Sequence, residues 1–420
     1  MGGSIISALI QFSEGTLANP AEVNQNFETL RQAVNANITE NTNINSEISN
    51  INLNIETISE QVMPDLNFTK TDSLFITSGD KNSITLKAGT VIRLDVAEDD
   101  VRYLEVKEDT DYNIYNIMDN TGAGSLTAGQ DYYLYVVKKD IANEETSEIV
   151  KTVELKASSN STYPNGYTAS NSRKIGGFHT NCLAITSANA PQTGHALIGY
   201  NAGDIVPETV WCLSHRPIAT PEGMSYDDRL DLWVDCYNTG GSDGDLTSSF
   251  GATRTCNITY QALAERLGKA KKRFPTVDEF QILADGANQK TAVYGSAQPN
   301  PDTTGGHLDT AGKAMVTPKG VWETNGLQWQ FARGVSGDGG SGFTTTDGSG
   351  AKGQTYGTAR IVFAGGSWVD SSSCGSRALN AVRALSSAAA ALGGRAVKSV
   401  ITHFKKVIWL GVGFSERYTR

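Results

Sequence analysis

The sequence predicts an α+β chain, mostly β, in three parts: an N-terminal trimeric coiled coil, a β-sandwich-like middle domain and a larger C-terminal domain. Three observations carry this reading. An unbroken heptad repeat occupies residues 27–62, alternating apolar runs separated by turn clusters fill 74–165, and the rest is Gly-rich and aromatic-studded with few long periodic stretches. Composition agrees: charged residues are 19% of the 420, against a usual roughly 25%. Ser, Thr, Asn and Gly take the difference, which favours loop-rich β structure over a helical enzyme. The formal charge of −10 has the wrong sign for coating nucleic acid. No apolar run approaches the ~18 residues of a membrane span, so no membrane insertion is expected. Met1–Gly15 lacks the basic start of a secretory leader, and the mature chain is expected to begin where the gene does.

Residues 1–65 read as an attachment segment and stalk. One heptad line is Phe27, Val34, Asn41, Ile48, Ile55 and Val62; the other is Leu30, Asn37, Ile44, Ile51 and Ile58. Steps of three and four alternate without a stutter, the 3.5-residue repeat of a left-handed coiled coil. Ile on both lines favours trimers or tetramers, and Asn37 and Asn41 add polar layers that pin register. Pro64 ends the repeat. The competing reading is an amphipathic helix packed on its own domain.

Residues 66–165 read as a structural spacer. Ile84, Leu86 and Ala88, then Ile92, Leu94 and Val96, alternate with polar residues; Val101–Val106 and Gln130–Val137 follow. Turn clusters between these runs have the spacing of a sandwich or small barrel. Asp99 and Asp100 read as a solvated turn.

Within 166–420 one helix start stands out. In Arg273–Phe280, Thr276 and Glu279 have capping-box spacing, so each can satisfy the other's orphan backbone N–H. Phe280, Leu283 and Ala284 would form its buried stripe. Five cysteines, an odd number with no C-x-x-C, read as reduced, mostly buried thiols rather than a zinc site or disulfide framework.

Further motifs follow in order: Gly320–Thr324, Leu327–Gln330 and Ala359–Trp368. With Arg273–Phe280 this series resembles the C-type-lectin-like fold of formylglycine-generating enzymes and of retroelement-diversified variable proteins. Ser172–His179, Gly203–Pro207, Trp211–Pro217, Leu232–Asp235, Cys374–Ala378 and Leu392–Arg395 are similar to the phage major tropism determinant branch. The resemblance spans roughly residues 66–395. It implies a homotrimeric adhesin at a phage tail tip, joined to tail or baseplate proteins through its N-terminus and assembled in the host cytoplasm. Its partner would be a bacterial surface protein or glycan receptor. No cofactor and no catalytic residue are implied.

The resemblance also places the receptor face. In that family the segment between the G-G-S-W and L-G-G-R elements is diversified by adenine-targeted mutagenesis. By position, the exposed contact candidates are Val369, Asp370, Ser373, Leu379, Ala381, Val382, Arg383, Leu385, Ser387, Ala389 and Ala391, while Trp368, Gly375, Arg377 and Arg395 match the scaffold. Here Ala388–Leu392 replaces the Asn- and aromatic-rich surface of the family. Because hot spots normally need Trp, Tyr or Arg, two readings stand. One is a shallow apolar patch of Leu379, Val382 and Leu385 anchored by Arg383; the other is no tight receptor. Composition alone would make the Ala run a helix. After Arg395, residues Val397, Val400, Ile401, Phe404 and Ile408 could share a helical face, or Val407–Phe414 could be a closing strand.

Other patterns carry less. Gly240–Gly244 matches the nucleophile-elbow pattern but sits in loop-like sequence without partners. Gln298–Asn300 resembles the sugar-binding tripeptide of calcium lectins, without a Trp-Asn-Asp partner. The acidic group Asp227, Asp228, Asp231, Asp235, Asp243 and Asp245 could ligate a structural calcium ion, though a solvated loop is the commoner outcome. The five histidines show no ligand spacing, and His179 and His215 read as hydrogen-bonded core groups. Paired late cysteines would indicate the oxidase-like enzymes of this fold; only Cys374 is there. An enzyme of that class and a calcium-dependent glycan lectin are the rival readings.

Overall fold

The computed structural model describes residues 21, 23–44, 74–97, 99–120, 126–142, 148–242, 245–337, 342–345, 354–356 and 359–400. The chain divides into two units, Met1–Asn67 and Phe68–Arg420. In the first, residues 23–44 are helical. Phe27, Leu30, Val34 and Ile44 are exposed along this helix, as are Asn37 and Asn41. The heptad positions from Ile48 to Val62 lie outside the described residues.

The second unit begins with five strands: β1 (Ile76–Asp80), β2 (Ser83–Leu86), β3 (Thr90–Ala97), β4 (Asp100–Val106) and β5 (Thr110–Asn113). They form an antiparallel β1-β2-β5 sheet and a β3-β4 hairpin. The alternation read in the sequence appears as burial: Ile84, Leu86, Ile92, Leu94 and Val106 enter one core with Phe75 and Ile76. β4 holds one surprise, because Arg102 takes an inward position. Its guanidinium is satisfied there by Asp100 at 2.9 Å and by the carbonyls of Lys139 at 2.8 Å and Thr152 at 2.9 Å.

Strands β6 (Asp131–Ala142), β7 (Ile149–Ser158), β8 (Ser172–His179) and β9 (Trp211–Cys212) form a sheet in the order β7-β6-β8-β9. β6 explains its own apolar run. Tyr132, Leu134 and Val136 point into the first core, whereas Tyr133, Tyr135 and Val137 point into a second one with Trp211, Met224 and Trp233. A strand covered on both faces reads as continuous rather than alternating hydrophobicity. The boundary expected at 165/166 therefore cuts through a sheet: β6 pairs with β8, Tyr132 opposite Phe178, and one core includes both.

The remainder winds around shorter elements. β10 (Met224–Asp227) and β11 (Leu232–Asp235) pair with each other, and β12 (Gly240–Ser242) with β13 (Asp245–Thr247). Helices α1 (Tyr260–Lys269) and α2 (Val277–Leu283) follow. The capping box at α2 forms as read: Glu279 N–H donates to Thr276 Oγ1 at 3.2 Å and Thr276 N–H to Glu279 Oε2 at 2.8 Å. Arg273 holds the same carboxylate through two bonds of 2.7 and 2.8 Å, and Phe280, Leu283 and Ala284 are buried. Then come β14 (Trp329–Gly337), β15 (Phe343–Thr345), β16 (Gln354–Tyr356), β17 (Ala359–Gly365), β18 (Gly375–Ala384), β19 (Leu392–Gly393) and β20 (Val397–Ser399). The order β18-β17-β14-β19 leaves β18 on an edge. β20 pairs with β11, so the tail begins as strand rather than helix; residues 401–420, including Val407–Phe414, lie outside the described residues.

Candidate functional site

The segment between the two glycine motifs starts at a turn that only glycine makes easily. Gly365 and Gly366 have φ of 91° and 86°, a region side chains rarely enter. A Cβ on Gly365 would meet the Thr324 carbonyl oxygen, and one on Gly366 would lie 2.6 Å from the Cys374 sulfur. Ser367 then donates its N–H at 2.8 Å and its hydroxyl at 2.5 Å to the Asp370 carboxylate. Trp368 is buried beside Val293, Met315 and Leu327.

β18 carries the outward side chains. Ala364 pairs with Leu379, Phe363 with Asn380, and Ile361 with Arg383. Two steps along β17 thus match three along β18, which is a β-bulge, and a bulge re-aims the side chains around it. Ala381, Val382 and Arg383 are consecutively exposed as a result. Val382 is 72% exposed and Leu379 46%.

The return, 385–391, is not a helix. Ala389 O accepts from Asn257 N–H at 3.0 Å and Ala391 O from Trp329 N–H at 2.9 Å, while Ala390 O accepts from Arg254 Nη1 at 2.7 Å. Helix formation would have engaged those carbonyls internally. Arg254 is fully buried and binds both oxygens of Asp302, at 2.9 and 2.8 Å. It also donates to Gln328 and lies 5.0 Å from the centre of the Trp368 ring. One guanidinium thus grips both ends of the segment. Arg395 is buried too, donating to the carbonyls of Asp235 and Trp322 and to Gln330 Oε1 at 3.2 Å. Burial lowers its pKa to about 10, so it stays cationic at neutral pH.

Six of the eleven contact candidates are exposed: Val369, Ser373, Leu379, Ala381, Val382 and Arg383. The others are corrected in part. Leu385 is buried, 8% exposed, in a core with Ile361, Phe363 and Leu392, because the chain turns inward after the bulge. Asp370 is half-buried with its carboxylate committed to Ser367. Ser387, Ala389 and Ala391 are half-buried, and Ala389 and Ala391 pack on apolar clusters. Among the scaffold residues, Trp368, Gly375 and Arg395 are buried, but Arg377 is exposed. Sequence reasoning missed it because a motif match does not say which way a strand residue points. It also missed the Arg254–Asp302 pair, whose members are 48 residues apart.

The remaining candidates resolve into structural roles. His179 is held between Asp131 at 2.8 Å and the Tyr237 hydroxyl at 2.9 Å. His215 is buried with its ring edge on Tyr226, 4.5 Å between centres. Asp227 pairs with Arg229, Asp228 with Lys319, and Asp235 with Lys272; Asp231 accepts from the Tyr226 hydroxyl at 2.8 Å. Among the described residues no group of three carboxylate, thiol or imidazole side chains is placed to hold a metal ion. Gly240–Ser242 lie in a hairpin. All five cysteines are thiols, four of them buried. Cys374 donates to Ser367 O at 3.2 Å, and burial pushes it up to about 12.

Known proteins of one kind resemble this chain in sequence and fold. Residues 74–212 match the family model described as the Mtd second domain. The chain is 28% identical over 283 residues to a tail fiber receptor-binding protein of Bordetella phage BPP-1, covering 60% of this chain and 67% of that one. Among solved structures, the U1 and P3c variants of a major tropism determinant each superpose with a TM-score of 0.63 at 27% identity, over 80% of this chain and 86% of theirs. Residues 74–212 thus carry the pattern of the Mtd second domain, and in sequence and fold the chain is similar to the major tropism determinants.

Proposed function

We propose that this chain is a receptor-binding adhesin of a phage tail, a virion component whose work is attachment rather than turnover. Its ligand face is the outward side of β18 with the β17–β18 connection, on which Leu379, Ala381, Val382 and Arg383 meet a bacterial surface protein or glycan. One observation carries this: a bulged edge strand presents an apolar run ending in an arginine, while Arg254, Trp368 and Arg395 fix the backbone beneath it. Apolar side chains there have no structural reason to be exposed, and Arg is among the residues that concentrate binding energy. Retroelement diversification of residues 368–395 accords with this division, since the six outward side chains can change without disturbing the frame. A reverse-transcriptase gene beside an adenine-rich near-copy of the segment would be its genomic mark.

Three copies joined through the N-terminal heptads complete the reading, with the segment before them meeting tail or baseplate proteins. Phe27, Leu30, Val34 and Ile44 are exposed on the helix of residues 23–44, and association would cover them. No role for nucleic acid or a cofactor enters. The enzyme reading is disfavoured because Cys374 is kept protonated and has no second thiol near it in sequence. The calcium-lectin reading is disfavoured because Gln298 is occupied by Asp302 at 3.1 Å.

The test is adsorption of the intact protein to susceptible cells. Leu379→Asp and Val382→Asp should each reduce it at least tenfold with the melting temperature unchanged. Undiminished adsorption by both would end the assignment of this face.

A further inference from the structure

At the foot of β18 an open groove of about 830 Å³ runs between the strand and the loops that follow β10 and α2. Its size falls within the ~300–1,000 Å³ of ordinary ligand sites, but its lining does not resemble an apolar pocket. Five charged residues line it: Asp228, Arg229, Asp285, Lys319 and Arg377. Four are already matched. Lys319 lies 2.8 Å from Asp228 and 3.6 Å from Glu208, and Arg229 lies 2.7 Å from Asp227 and 3.6 Å from Asp285. The Arg377 side chain is exposed and, among the described residues, its guanidinium has neither hydrogen bond nor ion pair. It shares the outward face of β18 with Leu379, two residues on, so the groove continues the proposed ligand face.

We propose that this groove is a subsite for an acidic carbohydrate, whose carboxylate or phosphate is taken by Arg377. Arg is suited to this, because its planar fork matches carboxylate and phosphate with two parallel hydrogen bonds. The neighbouring groups suit a sugar. Gln192 offers an amide at the rim, and the Asp228 and Asp285 carboxylates retain lone pairs for hydroxyl donors. An acidic peptide is the less favoured occupant, since peptide anchoring rests on aromatic or aliphatic pockets and Ala287 and Pro318 are the apolar residues of the lining.

The proposal rests on the adhesin reading and names the receptor chemistry at one end of its face. The intact protein is probed with paired oligosaccharides bearing uronic acid, sialic acid or sugar phosphate, each beside its neutral counterpart, and with acidic peptides of equal charge. At least one acidic sugar should bind ten times more tightly than its neutral partner at low salt. Arg377→Gln should abolish that difference, whereas Lys107→Gln, an equal charge removal on an exposed residue outside the groove, should retain it. If no acidic sugar exceeds its neutral partner, if Arg377→Gln binds as the parent does, or if acidic peptides bind better, the proposal is overturned. Adsorption separates the two failures. Loss with Val382→Asp but not with Arg377→Gln removes the subsite and keeps the adhesin; loss with neither removes both.

Discussion

The outward face of β18 and the frame beneath it differ residue by residue in what substitution costs. Val382 and Leu385 are three positions apart, yet one is 72% and the other 8% exposed. Val382→Ala should change stability by no more than ~0.5 kcal/mol. Leu385→Ala empties a packed core position and should cost about 2–4 kcal/mol in a denaturant titration; equal costs would mean that the inward turn after the bulge is misplaced. A second contrast concerns protons. The His307 ring is buried, which opposes its charge, but Glu323 at 2.9 Å outweighs that and raises its pKa. Below the unfolded value of about 6.5 this contribution is fully present, and it is lost as pH rises through the folded value. His195 and His215 are lowered by burial, so their contribution is present above about 6.5 and lost as pH falls. His307→Gln should therefore flatten the decline in stability on the alkaline side of 6.5 and leave the acid-side loss in place.

Among the elements, α2 was the most legible, because its signals are local. Its capping box is four residues of sequence, and Thr276→Ala should cost about 1 kcal/mol, read from the urea midpoint. The strands of the first core were legible for a similar reason: one face buried and one exposed imposes a period of two. β6 obscured the domain boundary because it serves two cores at once, and its six buried residues in a row say nothing about which sheet follows. The segment proposed as the ligand face stands out in the sequence only through flanking motifs. The Gly365–Gly366 turn is a sequence feature, but the bulge that turns out Ala381 to Arg383 depends on pairing with β17. The Ala run is held open by Asn257, Arg254 and Trp329, none of them near it in sequence. Long-range donors overrode the helix propensity of the Ala run. Arg254→Met should show this directly. It leaves Ala390 O without its donor and Asp302 without its cation, should cost about 2–3 kcal/mol, and should speed amide exchange across 385–391 more than across β6.

At the scale of the whole molecule, a ligand face of small and aliphatic side chains is useful only if it is multiplied. Leu379, Ala381 and Val382 would give each head few strong contacts beside Arg383, and affinity concentrates in a handful of anchors. Linking weak sites can raise overall binding by about 10²–10⁴ without any new contact, provided the geometry lets them engage together. In the proposed trimer the heptads would do the linking. Leu30 and Val34 are exposed on the helix of residues 23–44, and the unit holding that helix is distinct from the one holding the ligand face. Leu30→Asp with Val34→Asp, or Ile48→Asp with Ile55→Asp, should thus lower the mass seen by sedimentation from three copies to one. The unfolding midpoint of the larger unit should hardly move. Adsorption should fall by the full avidity factor and be restored by replacing residues 1–65 with an unrelated trimeric coiled coil. Monomers that adsorb as well as the parent would show that a single face suffices, and the stalk would then serve attachment to the tail alone.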